Sequence, residues 1–146
     1  NLNLSNTDLR EANLKNTVLA NTQLGKAQLN GVKSGGITGT PKSLPAGWQL
    51  VEGFLVGPGA NLSGADLSGS LLQSTDLSDA NLTGVKCLRC KFILTDVRHA
   101  DFTGADLSGA SFESVIDQET NICGAKMPDG SLGECAGQNV QPKPDN

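Results

Sequence analysis

The sequence predicts an all-β solenoid, a coil in which the chain turns a corner once every five residues. An apolar residue recurs at a spacing of five over two long stretches of the 146-residue chain. A small or β-branched residue lies two positions before most of these apolar residues, and Asn or Asp often lies between the two. A period of five fits neither an amphipathic helix, with a period of about 3.6, nor a flat strand, with a period of about 2.

The recurring apolar residues fall into two runs. The first run is made only of leucines, at Leu4, Leu9, Leu14, Leu19, Leu24 and Leu29. The second run is more varied: Leu62, Leu67, Leu72, Leu77, Leu82, Cys87, Phe92, Val97, Phe102, Leu107, Phe112, Ile122, Met127 and Leu132. Asp117 interrupts this second run, and a buried carboxylate is costly. We therefore expect the coil to bulge or unwind at Asp117.

Four corners of five residues close a square coil of 20 residues, so residues 20 positions apart should stack at about 4.8 Å. The apolar residue and the small residue before it then point inward, and the other three residues point outward. The predicted inner columns are apolar apart from the one that holds Asp117; one of them is Leu62, Leu82, Phe102 and Ile122. The outer columns are polar, and one of them alternates in sign as Asp66, Lys86, Asp106 and Lys126.

Several repeats match the motif A(D/N)LXX closely, among them Ala12-Asn13-Leu14, Ala60-Asn61-Leu62 and Ala105-Asp106-Leu107. On these residues the sequence resembles the pentapeptide-repeat family over most of residues 2–34 and 58–132. The resemblance implies a right-handed, quadrilateral (four-sided) β-helix. We expect a single solenoid domain over residues 1–135, followed by a flexible tail over residues 136–146.

An insertion over about residues 33–58 separates the two runs, because the spacing from Leu29 to Leu62 is not a multiple of five. Its first part, from Ser34 to Pro45, has the composition of a loop. Its second part places two short apolar segments around Glu52-Gly53, which predicts a β-hairpin.

The predicted hairpin has two interpretations. It either packs on the flank of the solenoid and completes a coil, or it exposes an apolar patch for a partner. The patch would consist of Trp48, Leu50, Phe54 and Val56.

Composition excludes several classes of function. The net charge of −4 and the pI of about 4.8 argue against a nucleic-acid partner, since phosphate binding needs a basic surface. No apolar run approaches the roughly 20 residues of a membrane span. His99 is the single histidine, and its neighbours Arg98 and Asp101 suggest a surface ion pair. The sequence also lacks a phosphate-binding loop. We predict no catalytic residue, no cofactor and no metal.

The four cysteines form two groups. Cys87 and Cys90 occupy inward positions, which favours buried free thiols, with a disulfide or a metal or redox site as alternatives. Cys123 should point outward, and Cys135 lies beyond the last repeat, after a turn. A Cys123–Cys135 disulfide would close the end of the stack, where the inner columns need a cap. Such a bond indicates an oxidising compartment.

The functional hypothesis is a non-enzymatic scaffold that binds a protein partner, with self-association end to end or side to side as a further option. We favour export to a periplasm, a thylakoid lumen or the cell exterior over a cytoplasmic location. The chain begins in mid-pattern at Asn1, as expected if a leader or further repeats preceded it. Some members of the family mimic DNA and bind topoisomerases such as gyrase through an acidic surface. Lys86, Lys91 and Lys126 interrupt the carboxylates and make this alternative weaker. A hydrolase or redox enzyme is a more distant alternative.

Overall fold

The computed structural model describes residues 1–135, and within that range its regular elements are strands, with no helix that could span a membrane. The strands are β1 (Gln49–Val51), β2 (Phe54–Val56), β3 (Leu71–Gln73), β4 (Lys91–Ile93) and β5 (Ser111–Glu113). Strands β1 and β2 pair antiparallel. Strands β3, β4 and β5 form a parallel sheet in that order. The predicted tail lies outside the described residues.

Isolated bridges between stacked pentapeptides organise most of the chain. Parallel bridges join residues 20 positions apart in the N-terminal coils (residues 3–43), as between Asn3 and Gln23. The same offset holds in the C-terminal coils (residues 61–126), as between Asn61 and Asn81. Each turn of the coil therefore takes four pentapeptides, and the fold is a β-helix, or solenoid.

Each pentapeptide ends in a corner with left-handed backbone. Asn6, Glu11, Asn16, Asn21 and Lys26 have φ between 58° and 63°, a conformation that glycine, Asn and Asp adopt more readily than other residues. The corner is closed by a backbone hydrogen bond, as where the Ala65 N–H donates to the Leu62 carbonyl at 3.0 Å. The sequence period of five is thus the period of these corners.

The inner columns form a dry core of small and large side chains. Leu62, Leu82 and Phe102 are each at most 2% exposed, and Ala60, Ala80 and Ala100 beside them are equally buried. The ring of Phe92 stacks on Phe112, with centroids 4.7 Å apart, and meets Phe102 edge-on. Aromatic rings in these contacts add to the stability that buried area provides.

The predicted loop over residues 34–45 is not a loop in the structure. Lys33, Thr38 and Ser43 bridge to Asn13, Val18 and Gln23 in the regular 20-residue register. Ser34 and Gly39 occupy the positions that leucine takes elsewhere, so the backbone keeps the coil while the sequence pattern lapses. The junction between the runs lies further on, where Asn61 bridges to Lys33, 28 positions earlier. This one coil is therefore longer than the others by about two corners' worth of chain.

The extra chain in that coil is the β1–β2 pair, which packs inside the junction. Leu55 and Val56 are fully buried, and the Leu55 N–H donates to the Ser34 hydroxyl at 2.9 Å. The carbonyl of Gly53, in the turn, accepts a hydrogen bond from the Ile37 N–H at 3.1 Å. The pair thus fills space between the N-terminal and the C-terminal coils.

The candidate partner patch is not an exposed surface. Trp48 and Val56 are buried, and Leu50 and Phe54 are half-buried. The interpretation in which the pair packs against the solenoid agrees with this burial, and the patch interpretation does not.

The bulge expected at Asp117 is absent. Ile116 bridges to Asp96 in the regular register, and the Thr120 N–H closes the corner on the Asp117 carbonyl at 3.2 Å. Asp117 is tolerated because it lies in the last full coil, where its side chain is only half-buried. It lines a small apolar cavity of about 30 Å³ together with Phe102, Phe112 and Ile122.

Replacing Asp117 with Leu is expected to raise the free energy of unfolding by about 1–2 kcal/mol, since one apolar side chain would replace a carboxylate facing that cavity. Urea unfolding followed by circular dichroism measures the change. The matched control, Glu113→Leu, alters an exposed carboxylate of the same coil and should change stability by less than about 0.5 kcal/mol. Equal effects of the two substitutions would contradict the placement of Asp117.

Leu132 also departs from the predicted inner column. It is 70% exposed, because the chain reverses at the turn around Gly130, where φ is 84°. After the turn, Leu132 bridges antiparallel to Lys126, and the Gly133 N–H donates to the Ala125 carbonyl at 2.7 Å. The returning segment covers part of the last coil and so acts as a cap.

Candidate functional site

The outer columns are held straight by the bridges, and their side chains are fixed by local hydrogen bonds. In one column the side-chain oxygens of Asn61, Asn81, Asp101 and Asn121 each accept the backbone N–H two residues later, at 2.9–3.2 Å. This is the local turn that Asn and Asp favour. The repeated Asn or Asp therefore serves the corner and leaves the column polar and rigid.

A second column carries the predicted alternation of charge. Hydrogen bonds from Ser68 hold the pKa of Asp66 below its usual value, and the nearby charge of Lys86 adds to the shift. Hydrogen bonds from Ser108 lower the pKa of Asp106 in the same way, and Lys126 and Lys86 add to it. Both carboxylates thus stay ionised beside lysines, and the column as a whole is close to neutral.

A third column brings carboxylates together, and basic residues offset them. Asp76 bridges to Asp96, and the Arg98 guanidinium lies 2.6 Å from the Asp96 carboxylate. The hydrogen bond from Arg98 lowers the pKa of Asp96. His99 pairs with Glu119 one coil further on, at 3.2 Å, and not with Arg98 or Asp101 as predicted. Stacking at 20 residues places Glu119 there, a relation that reading adjacent residues missed.

The inward cysteines are bonded to each other and are not free thiols as favoured. Cys87 and Cys90 form a disulfide, with their Cα atoms 5.2 Å apart, and both are at most 1% exposed. Two consecutive inward positions are neighbours in the core, which brings the sulfurs within bonding distance. The bond therefore lies in the core and away from any surface at which a redox partner could act.

The outer cysteines form the second disulfide. Cys123 and Cys135 have Cα atoms 4.2 Å apart, and the bond ties the returning segment to the last coil. No cysteine among the described residues is free. Within residues 1–135 no cluster of His, Cys, Asp or Glu has the arrangement of a metal site.

The largest concave surface was not predicted from the sequence. It is a cavity of about 610 Å³ at the junction of the N-terminal and C-terminal coils, lined by Lys15, Lys33, Gly35, Phe54 and Ser63 among others. The signal available in the sequence was the pair Gly35-Gly36, which removes side chains from two outward positions. Its meaning depended on the coil register of residues 33–43, which the lapse of the leucine pattern obscured.

Comparison with known proteins identifies the repeat. The family model for pentapeptide repeats matches residues 1–33, 60–98 and 90–129, with 8 copies. The comparison with curated proteins found no match.

Two solved structures illustrate the similarity. A pentapeptide repeat protein from the thylakoid lumen of Arabidopsis thaliana is 22% identical with a TM-score of 0.49, and the match covers 86% of this chain and 68% of that one. The pentapeptide repeat protein Rfr23 from the cyanobacterium Cyanothece 51142 is 22% identical with a TM-score of 0.44, over 78% of this chain and 63% of that one. The family matches cover well over half of the sequence, and the coil of four pentapeptides is the structure that they encode. The chain therefore belongs to the pentapeptide-repeat family.

Proposed function

We propose that this protein is a non-enzymatic scaffold whose rigid outer faces bind a protein partner. One observation carries the proposal: parallel bridges at a constant offset of 20 residues hold the outward side chains of the C-terminal coils in straight columns. Such columns repeat at about the strand spacing of 4.8 Å. A surface already fixed by backbone hydrogen bonds loses little conformational freedom when it binds, which favours recognition by a flat, pre-organised face.

We also propose that the coil is right-handed and four-sided, with the β1–β2 pair as a hairpin insertion. Four successive bridges or strands, at Asn61, Asp66, Leu71 and Asp76, each pair with the residue 20 positions later. Left-handed corners separate them, as at Gly64 and Gly69. One side for each pentapeptide accounts for both features.

The two disulfides support a location outside the cytoplasm. Disulfides persist in oxidising compartments such as a periplasm, a thylakoid lumen or the cell exterior. Protein taken from its native host without reductant should show all four cysteines blocked to alkylation in mass spectrometry. Four alkylated thiols in that sample would contradict an exported location.

The scaffold proposal is tested by site-specific photo-crosslinking in the native host. A crosslinking residue at Thr83 or Lys86 should give a discrete product with one partner protein, and the purified partner should then bind the purified chain with a defined stoichiometry. The chain should leave gyrase supercoiling unchanged, because lysines alternate with the carboxylates of that face. Absence of a crosslink from every outward column would contradict the scaffold proposal. Strong inhibition of gyrase would favour DNA mimicry.

A further inference from the structure

The cavity at the junction has a structural origin that no other coil shares. Lys15 and Asn16 lie on one coil, and Ser63 and Gly64 lie across the junction. Between them stand Gly35 and Gly36, which place no side chain in the space. Phe54 of β2 forms the back of the opening, and a Cβ atom at Gly35 would lie 2.8 Å from its Cε1 atom. We call this space the junction cleft.

The junction cleft interrupts a column of hydrogen bonds. Along this column of corners the Asn16 N–H donates to the Gly35 carbonyl, and the Gly64 N–H donates to the Thr83 carbonyl, at 2.8 and 2.9 Å. Only at the junction is the equivalent bond, from the Gly36 N–H to the Ser63 carbonyl, missing from the described residues. A donor and an acceptor of the backbone therefore face the cleft without a partner from residues 1–135.

The same edge continues onto the next side of the coil. Lys86 bridges Asp66 from above, but no bridge from below reaches Asp66 within the described residues. The Asp66 N–H and carbonyl therefore lack the partners that a coil beneath would supply. Unpaired strand edges of this kind accept an added extended chain.

The charge at the cleft is positive although the protein is acidic. Lys15 and Lys33 are exposed, and neither forms an ion pair with any residue from 1 to 135. The charge of Asp66 is offset by Lys86, whose proximity contributes to the lowered pKa of that carboxyl group after the hydrogen bonds from Ser68. The two lysines are thus uncompensated cations beside unpaired backbone groups.

We propose that the junction cleft binds an extended acidic segment of a partner protein. Backbone groups of the segment pair with the Gly36 N–H, the Ser63 carbonyl and the edge at Asp66. Its carboxylates lie against Lys15 and Lys33, and an apolar side chain covers Phe54. The volume of about 610 Å³ is within the range of small-ligand clefts, so a few residues fit and a folded domain does not. This inference rests on the proposed scaffold function and names the class of segment that the scaffold recognises.

The test uses NMR titration of the 15N-labelled chain with a blocked hexapeptide, Glu-Glu-Leu-Glu-Glu-Leu. Amide shifts are expected at Gly35, Gly36, Ser63 and Asp66. The double variant Lys15→Gln/Lys33→Gln should bind about three- to tenfold more weakly, as expected for two exposed ion pairs. The matched control is Lys42→Gln/Lys91→Gln, which makes the same charge change at two exposed lysines outside the cleft lining and should bind within twofold of the parent.

Further arms separate the ligand from simpler anions. The peptide with Gln in place of Glu should bind more weakly, and citrate at the same charge concentration should not reproduce the shifts at Ser63 and Asp66. No shift up to millimolar peptide, shifts confined to other faces, or equal weakening in both double variants would overturn the cleft proposal. A crosslinked partner that binds the parent and Lys15→Gln/Lys33→Gln equally would also overturn it and would leave the scaffold function standing.

Discussion

Replacing Phe92 with Ala is expected to lower the free energy of unfolding by about 3–5 kcal/mol. Phe92 is fully buried, and its ring contacts Phe102 and Phe112 from the coils on the same core. Truncation would leave a void in an interior too narrow to collapse, because bridges on every coil fix the backbone around it. Urea unfolding at equilibrium, followed by far-ultraviolet circular dichroism, measures the loss.

The control for Phe92 is Leu94→Ala. Leu94 lies two residues away and is 58% exposed, so its truncation should change stability by less than about 0.5 kcal/mol. A loss at Phe92 below about 1 kcal/mol would mean that the stacked aromatic core does not form.

Replacing Leu55 with Ala is the second large effect that we expect, at about 2–5 kcal/mol. Leu55 is fully buried in the junction, where the β1–β2 pair separates the N-terminal from the C-terminal coils. The loss should appear locally as faster hydrogen exchange at the Ile37 amide, which donates to Gly53 in the same pair. Native-state hydrogen exchange and urea unfolding together measure both effects.

Leu71→Ala serves as the comparison for Leu55, since Leu71 is 51% exposed on β3 and should tolerate truncation. If the two leucines proved equally tolerant, the β1–β2 pair would not fill the junction. If exchange at Ile37 were unchanged while stability fell, the hydrogen bond to Gly53 would be independent of the packing of Leu55.

Much of the fold was predictable because its determinants are periodic. A corner every five residues requires an apolar side chain and a small side chain inward at fixed places, and the leucines from Leu62 to Leu82 show this directly. The stacking offset of 20 residues followed from four corners per coil, and the bridges have that offset. The β1–β2 pair was predictable from the two apolar segments around Glu52-Gly53.

The failures occurred where backbone pairing replaced side-chain signals. Ser34 and Gly39 keep the coil without leucine, because bridges at Lys33 and Thr38 hold the backbone to the coil before it. The composition of that segment resembles a loop, yet backbone hydrogen bonds do not depend on composition. The junction cleft was missed for the same reason, since its position follows from a register that the pattern did not reveal.

Two further details depended on three-dimensional proximity. The positions of Cys87 and Cys90 showed that both point inward, but whether their sulfurs bond depends on the distance between neighbouring inward positions. The pairing of His99 with Glu119 depends on the stack and not on adjacent sequence. In each case the periodic rule gave the face of the residue and left its partner open.

The measurement that tests the central claim most directly is the scalar coupling across the hydrogen bond at the junction. In the structure the Asn61 N–H donates to the Val32 carbonyl at 3.1 Å, which joins the two sets of coils into one solenoid. A coupling between the Asn61 nitrogen and the Val32 carbonyl carbon is the predicted result. A coupling from Asn61 to the Thr40 carbonyl, as an uninterrupted 20-residue register would give, or no coupling at Asn61, would contradict a continuous solenoid with an enlarged coil at its junction.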